Sequence, residues 1–201
     1  MYRDKKCNIP IKKESILKHL KEKFKAKEVS QIHVLQAGAM TKGELGKELS
    51  DIAGMAEAGV PVLSEDGKSV MEAGLCKKAM EEAVKAGLPI FDHCEDMSLR
   101  GDGCMNDDEN AKRLGLPGIS NSTEDTIAAR DAILAIETGA KLHLCHCSTK
   151  GVAVMMKMLK AEGIENVTAE VCPHHFILTS DDIERDDPNY KMNPPLRTQK
   201  D

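Results

Sequence analysis

Apolar positions along this chain recur at two spacings, and the alternation between them marks out a repeating pair of elements. Residues 12–27 carry Ile16, Leu17, Leu20 and Phe24 at helical spacing, and residues 31–38 then read as a short apolar strand running into a loop. Residues 47–58 predict a helix stopped by Gly59, followed by a strand over 60–64. Ser69 and Glu72 form an S-x-x-E capping box for a helix that runs to Ala86 and stops at Gly87, before a strand over 89–93. A capped helix over 122–138 ends at Gly139 and leads into a strand over 141–146. Ser148 and Thr149 offer an N-cap for a helix over 151–160, and residues 166–171 are strand-like again.

Such a βαβα rhythm forces parallel strands, either in a barrel or in a doubly wound sheet. No G-x-G-x-x-G or G-x-x-x-x-G-K-[ST] follows any strand, which weakens the nucleotide-binding sheet. A complete eight-stranded barrel needs about 250 residues. Five strands in 201 residues therefore predict an α/β fold that is a partial TIM (β/α)8 barrel. One connection breaks the rhythm: residues 97–121 are polar and glycine-rich, and read either as a functional loop at a strand tip or as a surface insertion.

Composition narrows the class. The chain is 41% hydrophobic and 30% charged, as a soluble globular protein is. With three Phe, two Tyr and no Trp, the core must be built from aliphatic residues and the eleven Met. A net charge of −5 and the absence of a basic stripe argue against nucleic acid. No apolar run approaches the roughly 20 residues that span a bilayer, and the first residues lack the apolar core of a secretory signal. Seven Cys, an odd number set mostly within periodic segments, suggest reduced thiols in a cytoplasmic protein.

The candidate chemistry sits at the ends of strands. Asp66 follows the strand over 60–64, His93 ends the strand over 89–93 and His146 ends that over 141–146, so all three share one rim of a parallel sheet. A carboxylate and two imidazoles suit a divalent ion such as Zn²⁺. Taken singly, each also reads as a satisfied core histidine or a helix-capping aspartate; the shared placement points to the metal. His143 has the opposite parity to His146 and is expected to point towards the helix layer, with His174 and His175 as packing or supporting groups. A thiolate zinc site from Cys145, His146, Cys147, Cys172 and His174 lacks paired C-x-x-C spacing, and no G-x-S-x-G elbow exists for a serine hydrolase.

Five segments then carry a resemblance: Asp92-His-Cys-Glu-Asp96, Leu114-Gly-Leu-Pro-Gly118, Leu144-Cys-His-Cys-Ser-Thr149, Thr168-Ala-Glu-Val-Cys-Pro-His-His175 and Lys191-Met-Asn-Pro-Pro-Leu-Arg197. In order and content they resemble the signature segments of bacterial dihydroorotases, zinc-dependent members of the amidohydrolase superfamily. Hydantoinases and allantoinases differ at the histidine and proline motifs. The resemblance implies a single amidohydrolase barrel domain over residues 1–201, corresponding to about strands 3 to 7 and so incomplete. It implies that Asp66 bridges two zinc ions, that His93 and His146 ligate the second, and that Asn193 hydrogen-bonds the substrate. The reaction implied is reversible cyclisation of N-carbamoyl-L-aspartate to L-dihydroorotate, through attack of metal-activated water on the ring amide.

The family's His-x-His pair, its Arg, a substrate-binding Asn and the acid–base Asp of the last strand have no counterpart here. Glu65 and Cys172 stand where Asp and Thr are commoner. The expectation is a dihydroorotase cut at both ends and inactive as these 201 residues alone. Small-molecule substrate and homodimerisation are the expected interactions. The alternatives are a hydantoinase-like hydrolase or a non-catalytic scaffold for aspartate transcarbamoylase.

Overall fold

The computed structural model describes the backbone from residue 14 and side chains from residue 21, both to residue 201. Its first elements are α1 (Glu14–Val29), β1 (Gly38–Ala39), α2 (Ile52–Glu57), β2 (Leu63–Ser64), α3 (Ala73–Ala86) and β3 (Ile90–Asp92). There follow α4 (Met97–Arg100), β4 (Met105–Asn106), α5 (Glu109–Leu114) and β5 (Gly118–Ile119). The chain continues through α6 (Ser122–Thr138), β6 (Leu142–Leu144), α7 (Lys150–Ala161), β7 (Val167–Ala169) and α8 (Pro173–Ile177).

Five strands pair in parallel in the order β1-β2-β3-β6-β7. The order never reverses, so the sheet has no switch point of the doubly wound kind. Helices cover one face and pack neighbour to neighbour, α2 on α3, α3 on α6 and α6 on α7. That is the arc of a barrel. Leu63, Ile90, Leu142 and Leu144 point into the helix layer and form one core with Met55, Met80, Ala79, Ile127 and Ala128. Methionine takes the place aromatic residues usually fill: Met40, Met55 and Met80 are fully buried, whereas Phe24, Phe91 and Phe176 are exposed.

The helix ends follow the sequence with one substitution of roles. Gly87 and Gly139 cap α3 and α6 in the left-handed conformation, and Thr149 caps α7 by accepting from the Val152 N–H. Glu72, rather than Ser69, caps α3, its carboxylate accepting from the N–H groups of Gly74 and Leu75.

Two expectations need correction, and a third, the first helix, is observed but falls partly outside the described residues. The strand expected over 31–38 is confined to Gly38–Ala39, because pairing with β2 begins only at Gly38↔Leu63; Ile32, Val34 and Leu35 meet no core and stay exposed. In the expected first helix, Lys12 and the side chains of Ile16, Leu17 and Leu20 lie outside the described residues, and Phe24 is exposed. Residues 97–121 are not a loop. β4 and β5 pair in parallel around α5, and this small unit builds a second core from Met105, Ala111, Ile183 and Leu196. No described helix is long and apolar enough to cross a membrane.

Candidate functional site

The ends of β3 and β6 are adjacent, since Asp92 and Leu144 are register partners, and each chain turns outward just beyond them. His93 is 4% exposed, and its Nδ1 lies 3.2 Å from His146 Nε2, with the two rings edge to face. His146 reaches this position with φ at 37°, in the left-handed region that a non-glycine residue occupies only under constraint. That turn lies beyond β6, whose own alternation is intact, so the parity of Leu142 and Leu144 does not carry on to His146. His143 does not face the helix layer: it sits on the open face beside Phe91, with ring centroids 4.9 Å apart, and bonds Thr168 Oγ1.

One acid, one amide and one serine hold His93 in place. Glu95 Oε2 lies 3.4 Å from His93 Nε2, and Arg100 approaches the other carboxylate oxygen at 3.0 Å. Burial alone raises the Glu95 carboxyl, but hydrogen bonds from His93 and Asn193 and the charges of His93 and Arg100 outweigh it and hold it below the ordinary range. Asn193 Nδ2 stands 3.2 Å from His93 Nε2. Ser69 Oγ donates to the His93 carbonyl and accepts the Glu95 N–H. Burial lowers the His146 imidazole, and His93 beside it adds to the effect, against a weaker pull from Glu170 and Asp66. His146 is thus favoured in its neutral, ligand-competent form. Its Nδ1 is buried without a hydrogen-bond partner.

The structure brings His93, His146 and Asn193 together and leaves Asp66 apart. After β2 the chain buries Glu65, which accepts from the Thr41 N–H and hydroxyl, and turns Asp66 outward before Gly67. Among the described residues, His, Cys, Asp or Glu groups with ligand atoms all within 4.8 Å are Cys172/His174/His175 and His143/Cys145/Glu170. Asp66, His93 and His146 do not form one. Cys145 and Cys147 fall apart from Cys172. Burial, with Glu170 and Glu124 respectively, pushes their thiols up to about 11 and about 12, so neither is a nucleophile at neutral pH.

A second buried network locks the rim. Arg197 donates to Ser148 Oγ at 3.0 Å, to Asn106 Oδ1 at 3.0 Å and to the Ile119 carbonyl at 2.9 Å. Glu124 accepts from the Ser148 and Thr149 N–H groups and from the Ser148 hydroxyl. One arginine therefore joins the loop after His146, the β4–β5 unit and the segment bearing Asn193. Ser69 was read only as a helix cap, and Glu95, Glu124 and Arg197 were given no role of their own; the signal available was the charge spacing of Asp92-His-Cys-Glu-Asp96 and an arginine in a polar, proline-rich tail.

Comparison with known proteins decides the family. The family described as Dihydro-orotase-like matches residues 5–152, more than half of the chain. The chain belongs to this family. Among its dihydro-orotase-like relatives, a dihydroorotase of Staphylococcus epidermidis is 44% identical over 186 residues, covering 92% of this chain and 44% of that protein. A dihydroorotase of Lactobacillus helveticus is 46% identical over 170 residues, 85% of this chain and 40% of that one. The chain thus spans less than half the length of these curated relatives. Of solved structures, L-hydantoinase from Arthrobacter aurescens superposes with a TM-score of 0.71 at 21% identity, over 92% of this chain and 42% of that one. D-hydantoinase from Thermus sp. gives 0.70 at 21% identity, over 97% and 44%. At that identity the likeness shows the fold alone, and it agrees with a barrel arc. The family is one of cyclic-amide hydrolases.

Proposed function

We propose that this chain forms part of the active site of a dihydroorotase, which interconverts N-carbamoyl-L-aspartate and L-dihydroorotate in pyrimidine synthesis. The observation that carries the reading is the convergence of His93, His146 and Asn193, from three separate segments, in a dihydro-orotase-like chain. His93 and His146 would hold a zinc ion, with Asp66 offering a carboxylate on the same rim. The donors fit: two neutral imidazole ligands of one tetrahedral zinc, at Zn–N about 2.0–2.1 Å, stand about 3.3 Å apart, and the ring nitrogens here are 3.2 Å apart.

When bound, such an ion polarises an amide carbonyl and activates water at neutral pH. The chain's own groups do the rest of the work. Glu95 faces His93 Nε2, the kind of carboxylate contact that supports metal-bound histidines. Ser69 fixes the backbone on either side of that histidine's neighbour, Cys94. Asn193, beside His93, would hydrogen-bond the substrate.

The test is zinc and L-dihydroorotate binding by the purified chain, measured calorimetrically. His93→Ala is expected to abolish zinc binding at this rim, and Asn193→Ala to weaken dihydroorotate binding while sparing zinc. Dihydroorotate binding indifferent to both changes would overturn the assignment, and preference for hydantoin would move it to the hydantoinase side. The scaffold alternative predicts capture of aspartate transcarbamoylase without metal; homodimerisation is read from sedimentation.

A further inference from the structure

We propose that Cys172, His174 and His175 form a second transition-metal site, distinct from the His93–His146 rim and suited to zinc or cobalt. Their ligand atoms lie within 4.8 Å of one another, all three residues are half-buried, and a thiolate with two imidazoles is a donor set that selects borderline-soft ions. Cys172 and His175 are three apart, so one helical turn at the start of α8 puts sulfur and ring on the same side. The Cys172 side chain does not serve as a cap for that helix, and its thiol is free.

The decisive group is His175. Its Nε2 faces the Pro194 carbonyl at 3.3 Å, and a carbonyl only accepts, so Nε2 carries the proton. Nδ1 is then left with a lone pair, and that atom is buried with no hydrogen-bond partner. A ring whose N–H is tied to a backbone carbonyl while the other nitrogen stays free is the arrangement of a metal-bound histidine. The His174 ring lies 4.3 Å from it, centroid to centroid. By contrast, in the group His143/Cys145/Glu170 both His143 nitrogens are already engaged, by Thr168 and Glu170. His175 also lines a cleft of about 360 Å³ shared with Ser148, Met156, Glu170 and Phe176.

Binding displaces one proton, from the Cys172 thiol to solvent, and forms a metal–thiolate bond. The consequence lies next door. The Pro194 carbonyl held by His175 directly follows Asn193, so an ion here would tether the segment that carries Asn193 to the end of β7.

The experiment is a Co²⁺ titration of the 201-residue chain, followed by thiolate-to-cobalt charge-transfer absorption in the near ultraviolet. The band is expected to appear, to vanish in Cys172→Ser, to weaken in His175→Gln, and to persist in Cys145→Ser and in His93→Ala. Those last two variants separate this site from the other cysteine group and from the proposed catalytic rim. Should Cys172→Ser fail to fold by circular dichroism, zinc protection of Cys172 against alkylation in the unaltered chain, mapped by peptide mass, replaces it. No band, a band surviving Cys172→Ser, a band lost in Cys145→Ser, or no protection of Cys172 would overturn the proposal.

Discussion

The hydroxyl of Ser69 donates to the carbonyl of His93 at 2.7 Å, and the same oxygen accepts the N–H of Glu95 at 3.0 Å. Both bonds are buried, and together they staple the tip of β3 to the start of the loop before α3. Ser69→Ala leaves a buried carbonyl and a buried N–H without partners, which costs about 1–3 kcal/mol for each group so exposed. Urea unfolding should show a lower midpoint with an unchanged slope. A midpoint equal to that of the parent chain would show that Ser69 is dispensable to the rim.

Glu95 is the link between that staple and the proposed metal. Its carboxylate meets His93 Nε2 on one side and Arg100 on the other. Glu95→Gln preserves shape but removes the charge that orients the ring, and losing such a supporting partner lowers metal affinity about 10–100-fold. Zinc competition against a chromophoric chelator measures this directly. Unchanged zinc affinity in the variant would mean that His93 is oriented by something else.

How much of this could be read from the sequence divides along physical lines. The central strands were legible because apolar runs buried against helices leave an unmistakable pattern, as in residues 89–93 and 141–146. The first strand was not, because Ile32, Val34 and Leu35 carry the right pattern but lack a paired neighbour. The β4–β5 unit escaped notice because its elements are two to six residues long, too short for any periodicity to register. Alternation predicted the wrong side for His143, since it assumes continuous extended backbone and the positive φ of His146 interrupts it. Nor could pattern say which of Glu65 and Asp66 is buried, because a shift of one residue exchanges buried for exposed. Long-range partners such as Arg197 with Ser148 are set by tertiary packing and leave no local trace.

A buried acid pair beneath the rim predicts a pH dependence. Asp92 is 2% exposed; burial, reinforced by the neighbouring Asp131 carboxylate, raises its pKa well above the ordinary value, while Arg130 pairs with Asp131 through two nitrogens. An acid raised on folding favours the protonated form. Its contribution to stability is complete below the unfolded value, about 3.9, and is lost as pH rises towards the folded value. Asp92→Asn, which keeps a neutral group of the same shape, should be more stable than the parent at pH 7 and should show a flatter stability profile above about pH 4. Denaturant midpoints taken across pH for both chains provide the comparison, and parallel profiles would contradict the assignment.

Arg197 joins three parts of the chain that are distant in sequence. Its guanidinium is 3% exposed and donates to Ser148, Asn106 and the Ile119 carbonyl, with Glu124 at 3.8 Å. Burial pushes the Glu124 carboxyl up, and hydrogen bonds from Ser148 together with the Arg197 charge pull it back. Removing the arginine would take the counter-charge from that acid and a donor from three further acceptors in a dry environment, and breaking a buried pair in this way costs about 3–5 kcal/mol. Arg197→Met fills much of the same volume without the charge, so its destabilisation reports the lost polar partners rather than a cavity. Hydrogen exchange should then rise together in the loop after His146, in β4–β5 and in the segment around Asn193, because one side chain serves all three. Loosening confined to residues near 197 would show that the rim is assembled without it.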